Sequence, residues 1–261
     1  MANVLIEKFR QVNRLLQRVG TNELTFEEIS ETIQKVIEAQ FILLNQEGEI
    51  VISQMGSLKN VFCVEDLLKS EVKEYCVSLL SNEENLSADK LTGVVSAQNI
   101  YCNLIPVIQW DRIDKDGYSS YSMGQKLGHL ILLRENQSFD ENDLIVVEYL
   151  ASLVGAKMSA LNKAKKEEDE RELNLVKLAV ETLSYSEITA IYNILKNLEN
   201  QEGLLVASKI ADEVGITRSV IVNALRKLES AGVVESRSLG AKGTYIKVIN
   251  RYLVEEIEKI G

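Results

Sequence analysis

The sequence predicts an α+β protein with an N-terminal antiparallel sheet and helices, a long linking helix and a C-terminal winged helix-turn-helix. Three observations predict this class. The segment Ala207 to Arg226 has the pattern helix, tight turn, helix. A predicted β-hairpin follows it. Earlier in the chain, short apolar runs separated by polar turns alternate with amphipathic segments. The 261 residues suffice for two cores, and we place the domains at 1–158, 159–183 (the linking helix) and 184–261.

The helix-turn-helix segment carries its own start and stop signals. Ser208 is predicted to cap the first helix. Gly215 marks the turn, because glycine adopts a positive φ without steric cost. The hydroxyl of Thr217 is predicted to cap the second helix by accepting from a free N–H of its first turn. The small Ala211 allows the helices to cross closely. An apolar stripe at helical spacing predicts the buried side: Ile210, Val214, Ile221, Ala224, Leu225 and Leu228.

The opposite side of the second helix is polar. It carries Arg218, Ser219, Val222, Asn223 and Arg226. Arginine and asparagine are the side chains that pair with guanine and adenine edges in the major groove. The alternative is a surface helical hairpin whose arginines are simply solvated.

The predicted hairpin has strands at Val233 to Arg237 and Thr244 to Ile249. A hairpin directly after such a helix pair is the wing of a winged helix-turn-helix. Lys242 at its tip, with Arg237 and Lys247 beside it, would lie along phosphates, in contacts that are largely blind to sequence. The predicted DNA contacts are Ser208, Thr217, Arg218, Ser219, Asn223, Arg226, Lys227, Arg237 and Lys242.

The charge distribution favours the same interpretation. The formal net charge is -10. Residues 201–251 nevertheless contain eight basic and five acidic residues, whereas the rest of the chain contains 21 basic and 34 acidic residues. A mildly basic module on an acidic body fits DNA held at one end and repelled elsewhere.

Two amphipathic helices are predicted before the sheet. The first covers Leu5 to Arg18, and the second starts after a capping box at Thr25 to Glu28. Such helices pack on one face of the sheet or form a dimer surface. The other predicted segments of this half are strands at Phe41 to Leu44, Glu49 to Ile52, Ile100 to Trp110 and Lys126 to Leu133, helices at Val64 to Leu68 and Val72 to Leu80, and loops at Ser81 to Leu91 and Asp111 to Gln125, the latter an exposed hairpin loop.

The linking helix is predicted to start at Asp140, a residue type favoured at the N-cap and followed here by an acidic first turn. It continues to Leu183 as one helix, or as two in line. Its mixed-charge stretch Lys163 to Glu172 is typical of a solvated face. A second capping box, Ser184 to Glu187, opens the DNA-binding domain.

Several function classes lack support in the sequence. No apolar run has the length of a membrane span, and the N-terminal apolar run is too short for a signal peptide, so we expect a cytoplasmic protein. Cys63, Cys76 and Cys102 lack metal-ligand spacing and fit reduced thiols. His129, the one histidine, lies in an apolar strand and is interpreted as packing. With neither a catalytic dyad nor a phosphate-binding loop, we expect no enzyme, metal or cofactor.

The stretch from Ser184 to Val248 resembles the CodY family of nutrient-responsive global regulators from low-GC Gram-positive bacteria. The similarity is nearly continuous and includes Ala207 to Arg226. It implies a GAF-type N-terminal sensing domain and a homodimer, or a tetramer, that binds promoter DNA. It also implies mainly repression of nutrient-adaptation genes, controlled by GTP and by isoleucine, valine or leucine. The N-terminal helices and the linking helix are the candidate dimer surfaces.

The N-terminal half departs from the family pattern. An arginine that would hold the amino acid is absent from Gln54 to Leu68. The resemblance leaves Tyr75, Asn103, Pro106 and Val107 as effector-binding candidates. The alternative is that Tyr75 is a core residue and Pro106 an edge residue, since a proline inside an apolar run indicates a sheet edge or a bulge. The alternatives left open are a different or lost effector, a signalling scaffold, or a protein that turns over a nucleotide.

Overall fold

A computed structural model describes residues 2–19, 24–60, 70–89, 99–115, 118–198 and 201–260. The chain forms two compact units, Met1–Lys163 and Ala164–Gly261. The predicted helix at Val64 to Leu68 and the thiol of Cys63 lie outside the described residues.

The first unit begins with two helices, α1 (Ala2–Leu16) and α2 (Phe26–Ile37). The predicted capping box at the start of α2 is confirmed. The Thr25 hydroxyl accepts from the Glu28 N–H at 3.2 Å, and the Glu28 carboxylate accepts from the Thr25 N–H at 3.3 Å. Reciprocal bonds of this kind satisfy two N–H groups that the first helical turn leaves unpaired.

An antiparallel sheet with the order β2-β1-β5-β4-β3 forms the centre of the first unit. The strands are β1 (Gln40–Asn45), β2 (Ile50–Gln54), β3 (Glu83–Ser87), β4 (Ile100–Lys115) and β5 (Tyr118–Glu135). A 3₁₀ helix (Gly56–Asn60) follows β2, and helix α3 (Ser70–Ser78) precedes β3.

Two loop predictions in this sheet are wrong. The stretch Ser81 to Leu91 contains β3, whose polar residues Glu83 and Asn85 gave no apolar run to recognise. The stretch Asp111 to Gln125 is a continuation of β4 and β5, paired from Asp111 with Ser122 outward. A long two-stranded ribbon needs no apolar core, so its Asp, Ser and Tyr composition resembles that of a loop.

The position of Pro106 agrees with the prediction of an edge. The pairing of β4 with β3 covers Tyr101 to Leu104, and Pro106 lies beyond it. A register shift follows directly, between Val107 and Ile108. The prolyl nitrogen, which cannot donate a hydrogen bond, therefore lies where no described strand needs one.

Each face of the sheet has its own core. Ile105 and Val107 of β4 belong to the core shared with α1 and α2, whereas Cys102 and Leu104 belong to the core shared with Cys76 of α3. The alternation follows from the two-residue period of a strand.

Helix α4 (Glu141–Glu181) is a single continuous helix of 41 residues. Its start is as predicted, because an Asp140 side-chain oxygen accepts from the Asp143 N–H at 2.8 Å. One stretch of α4 is long and apolar enough to cross a membrane by length and composition alone, but half of it is buried in the protein. Val146, Leu150 and Val154 lie in the first core, so this stretch is a core helix.

The second unit contains the final part of α4 and a small three-stranded sheet with the order β6-β8-β7. Val176, Val180 and Leu183 contribute to its core. Its elements are α5 (Tyr185–Lys196), β6 (Glu202–Leu205), α6 (Ala207–Val214), α7 (Arg218–Ser230), β7 (Val234–Ser238), a 3₁₀ turn (Gly240–Lys242), β8 (Thr244–Val248) and α8 (Leu253–Ile260). The capping box Ser184 to Glu187 is present as predicted.

Candidate nucleic-acid interface and sensing domain

The turn between α6 and α7 has the predicted geometry. Gly215 has φ 71° and ψ 31°, the left-handed conformation, and its N–H donates to the Ala211 carbonyl. The Ile216 N–H donates to the same oxygen at 3.0 Å. Glycine reaches this conformation without the steric cost of a Cβ, so this position makes the sharp turn between the two helices possible.

The two predicted caps have different outcomes. Ser208 is not the cap of α6: that position belongs to Val206, and Ser208 lies exposed within the first turn. The extended chain of β6 continues to Val206, so the helix starts two residues earlier than predicted. Thr217 does occupy the cap position of α7 but makes no side-chain bond to the backbone; its hydroxyl lies 2.8 Å from that of Ser219.

Helix α7 has one buried side and one exposed side. Ile221, Ala224 and Leu228 are fully buried in the core of the second unit. The predicted reading side chains Arg218, Ser219, Asn223 and Arg226 are all exposed, whereas Val222 is half-buried. The structure therefore presents two arginines, a serine and an asparagine together on the outer face of this helix.

Strands β7 and β8 form the predicted wing. They pair from Val234 with Val248 to Ser238 with Thr244. Gly243 has φ 111°, and a Cβ built there would lie 2.4 Å from the Leu205 carbonyl oxygen. Any larger residue would force the wing away from β6.

The basic residues of this region fall into two groups. Three are paired within the described part of the chain: Lys209 with Glu213 at 3.9 Å, Lys227 with Glu187 at 2.7 Å, and Arg251 with Asp169. Those with no hydrogen-bond or ion-pair partner among the described residues are exposed and lie on α7 or on the wing: Arg218, Arg226, Arg237, Lys242 and Lys247. Uncompensated cations are available to phosphates, and the structure places them on two neighbouring elements of the motif.

The effector candidates do not form one cluster. Asn103 and Val107 belong by alternation to the sheet face covered by α1, α2 and α4, and Val107 is buried there. The Asn103 side-chain oxygen accepts from the Asn85 N–H at 2.6 Å. Pro106 belongs to the opposite alternation, and Tyr75 is an exposed residue of α3. The sequence interpretation did not separate these two faces, although the two-residue period of the strand contains that information.

His129 is a buried polar residue of the first unit, and the sequence analysis interpreted it as a packing residue. It lies opposite Pro106 in the β4–β5 pairing and is fully buried. Neither ring nitrogen has a hydrogen-bond partner among the described residues. Burial, and then the nearby Lys126 ammonium, lowers the pKa of His129 to about 4. Its ring is therefore neutral at pH 7 and packs as predicted.

The buried cysteines are also unreactive at neutral pH. Cys76 and Cys102 are free thiols in the core shared with α3. Burial raises the pKa of Cys76 to about 11 and that of Cys102 further. A thiol rather than a thiolate is present at neutral pH, so neither is a reactive nucleophile. No group of three or more potential metal ligands occurs within the described residues.

A buried charge cluster holds the start of α4 to the rest of the first unit. The Asp143 carboxylate pairs with Arg134 at 2.7 Å and with Lys8 of α1 at 3.0 Å. The Arg134 guanidinium also stacks on Phe139, 4.2 Å from the ring centroid. An open cleft of about 630 Å³ adjoins the cluster and is lined by both signs of charge.

A helix-turn-helix with a wing, an exposed polar recognition helix and unpaired cations on both elements define a DNA-binding regulator of the winged-helix class. The comparisons with known proteins give the particular family. A family model described as the CodY helix-turn-helix domain matches residues 201–260, and one described as the CodY GAF-like domain matches residues 4–102 and 119–182. The chain belongs to the CodY family of global transcriptional regulators.

Curated relatives match along nearly the full length. The global transcriptional regulator CodY of Caldanaerobacter subterraneus subsp. tengcongensis is 42% identical over 257 residues, covering 98% of both chains. The protein of the same name from Clostridium beijerinckii is 40% identical over 265 residues, again covering 98% of both. The solved GAF domain of the nutrient sensor CodY from Clostridium difficile overlaps with a TM-score of 0.37 at 20% identity, covering 59% of this chain and 97% of that one.

Proposed function

We propose that α7 reads promoter DNA from the major groove through Arg218, Ser219, Asn223 and Arg226. The observation that carries this proposal is the division of α7 into a fully buried side and an exposed polar side. Arginine is suited to the two acceptors of guanine, and asparagine to the donor and acceptor of adenine. Helix-turn-helix proteins place their second helix in this groove.

The wing and the start of each helix supply contacts to the DNA backbone in this proposal. Arg237 and Lys242, with Lys247, lie along phosphates, and their exposed, unpaired state supports that role. Ser208 and Thr217 are exposed at the first turns of α6 and α7, where hydroxyl groups and free N–H groups bind phosphate oxygens. These contacts set the register of the protein on the duplex without reading its sequence.

The first unit senses a small molecule in this proposal, with GTP and the branched-chain amino acids as the candidate effectors. Family membership supports this assignment. Tyr75 is the most accessible of the four candidate residues to a ligand, because Pro106 and Val107 are buried and the Asn103 side chain is bonded to Asn85. A different or lost effector remains the alternative, supported by the missing arginine between Gln54 and Leu68.

The assembled regulator in this proposal is a cytoplasmic, non-enzymatic homodimer, or a tetramer, that mainly represses nutrient-adaptation genes. Exposed apolar side chains on both candidate dimer surfaces support self-association: Val4 and Ile6 on α1, and Leu175 and Leu178 on α4. A two-fold dimer would bind two half-sites one helical turn apart. A signalling scaffold or a protein that turns over a nucleotide is the competing function.

Two measurements test this function. Fluorescence anisotropy of promoter fragments, with and without isoleucine, valine, leucine or GTP, is expected to show specific binding that an effector strengthens. Calorimetry with the same four compounds identifies which one binds. Absence of specific DNA binding under every condition at moderate salt would contradict the proposal, and sustained GTP hydrolysis would favour nucleotide turnover.

A further inference from the structure

Lys227, in the last turn of α7, is bonded inside the protein. Its ammonium group donates to the Thr182 carbonyl at 2.9 Å and to the Glu187 carboxylate at 2.7 Å. The Glu187 side chain is 9% exposed, whereas that of Lys227 is 41% exposed. The neighbouring Arg226 is exposed and has no partner among the described residues. Adjacent basic residues of one helix therefore have different surroundings.

The two acceptors of Lys227 lie at the ends of two other helices. Thr182 follows the last residue of α4, and its carbonyl is one of those that a helix end leaves without an intrahelical donor. Glu187 lies in the first turn of α5, where its carboxylate also accepts from the Ser184 N–H at 2.7 Å. Lysine is favourable beside a helix C-terminus and a carboxylate. One ammonium group thus joins the end of α4, the start of α5 and the end of α7.

The pKa of the Glu187 carboxyl group depends on the groups that donate hydrogen bonds to it. Burial would raise the pKa of Glu187, but hydrogen bonds from Lys227 and Ser184 hold it below its usual value. The charge of Lys227 is therefore compensated within the protein, unlike that of Arg226. A compensated cation contributes little to the release of counterions from DNA.

We infer that Lys227 is a positioning residue for DNA reading, which holds α7 against α4 and α5 and makes no phosphate contact. The inference rests on the proposed reading role of α7. By fixing the last turn of that helix, the junction sets the angle at which Asn223 and Arg226 face the groove. Losing the junction would impair sequence-specific binding more than general attraction to DNA.

Substitution of Glu187, the carboxylate partner of Lys227, gives a test in which the two explanations predict different changes in DNA affinity. Removing a negative charge near DNA should leave binding unchanged or strengthen it, if charge alone matters. The positioning role instead predicts that Glu187→Gln weakens specific binding, as Lys227→Gln does. Glutamine at position 187 retains a side-chain oxygen that can accept from the Ser184 N–H, so helix α5 keeps its cap.

The experiment uses the full-length chain and the best duplex that it selects from a random-sequence library. Affinities for this duplex and for poly(dI-dC) are measured by fluorescence anisotropy between 50 and 200 mM NaCl. For Lys227→Gln and Glu187→Gln we expect roughly tenfold weaker binding to the selected duplex, poly(dI-dC) binding within about twofold of wild type, and an unchanged salt slope. Arg226→Gln is the matched control; as a phosphate contact it would lower the salt slope by about 0.9 for each DNA-bound subunit, and as a base contact it would lower specificity.

Three results would overturn the inference: a fall in the Lys227→Gln salt slope of about 0.9 for each DNA-bound subunit with equal losses on both DNAs, tighter binding by Glu187→Gln, or wild-type behaviour of both variants. Circular dichroism establishes that each variant is folded. Hydrogen exchange supplies a readout without DNA, since loss of the junction should lower amide protection in Leu225 to Ser230. If Arg226→Gln changes neither affinity, specificity nor slope, the proposed reading face is wrong, while hydrogen exchange still decides whether Lys227 holds the last turn of α7.

Discussion

The two units of this protein use charge in different ways. In the first unit, the Asp143 carboxylate is buried and shared between Arg134 and Lys8. In the second, Arg218, Arg226 and the wing cations are exposed and have no partner within the described residues. A buried charge needs a partner because desolvation is costly, whereas a cation that binds a polyanion must be left uncompensated. The pairing state of a charged side chain therefore separates residues that hold the fold from residues available to a partner.

The largest expected effect comes from removing the centre of the buried cluster. Asp143→Ala leaves Arg134 and Lys8 without their carboxylate and should lower the free energy of unfolding by about 3–5 kcal/mol. The matched control is Arg171→Ala, which removes an exposed ion pair with Glu168 and should cost less than about 1 kcal/mol. Urea denaturation at pH 7 measures both. Similar losses in the two variants would remove the proposed distinction between buried and exposed pairs.

A second effect concerns stability at low pH. The folded protein holds the pKa of His129 near 4, below the ordinary value of 6.5. Between these values the unfolded chain binds a proton that the folded protein does not, so stability falls as the pH drops from 6.5 to 4. The loss should approach about 3 kcal/mol.

Comparing wild type with His129→Leu isolates this contribution from the carboxylates that titrate in the same range. The unfolding free energy of wild type should fall relative to that of His129→Leu as the pH is lowered, because leucine binds no proton. Urea denaturation at pH 7, 6, 5 and 4.5 measures this. A constant difference across that range would show that His129 titrates normally in the folded protein.

In the second unit, substitutions on the outer face of α7 should change the discrimination between DNA sequences and not the salt dependence of binding. Asn223→Ala and Arg218→Ala are each expected to lose about 1–3 kcal/mol of discrimination at one base pair, because each side chain is proposed to bond a base edge. Binding to a panel of single-base operator variants measures this. A uniform loss on all sequences would instead identify the residue as a phosphate contact.

The smallest effect belongs to the wing. Lys242→Gln should lower the salt slope of DNA binding by about 0.9 for each DNA-bound subunit and weaken all duplexes to a similar extent. Lys209→Gln is a suitable control, since Lys209 is paired with Glu213 on α6. An equal change in both variants would show that pairing state does not identify the DNA-facing cations.

The features predicted well from the sequence are those whose determinants are close together in the chain. Both capping boxes, the left-handed Gly215 and the buried stripe of α7 are of this kind. The partners of Lys227 lie 40 and 45 residues earlier in the chain, so no local pattern indicated that its charge is compensated. Strand β3 was missed because its polar sequence contains no apolar run, and its pairing with β4 stabilises the strand instead.

The candidate sensing residues show a different limitation. Asn103, Pro106 and Val107 are neighbours in sequence, but consecutive strand residues point to opposite faces. A family resemblance places such residues in one segment, and only the position of the surrounding helices shows which of them a ligand can approach.

The close approach of Gly243 to the Leu205 carbonyl restricts how this regulator can change during evolution. A side chain at position 243 is excluded by both φ and contact distance, whereas Gly240, three residues earlier, has open space around its Cβ position. A substitution at Gly240 therefore meets only the strain of its positive φ of 64°, whereas one at Gly243 also meets the Leu205 backbone. Variation in wing charge among relatives would then be concentrated in the residues between Ser238 and Lys242, with the strand that follows kept in place.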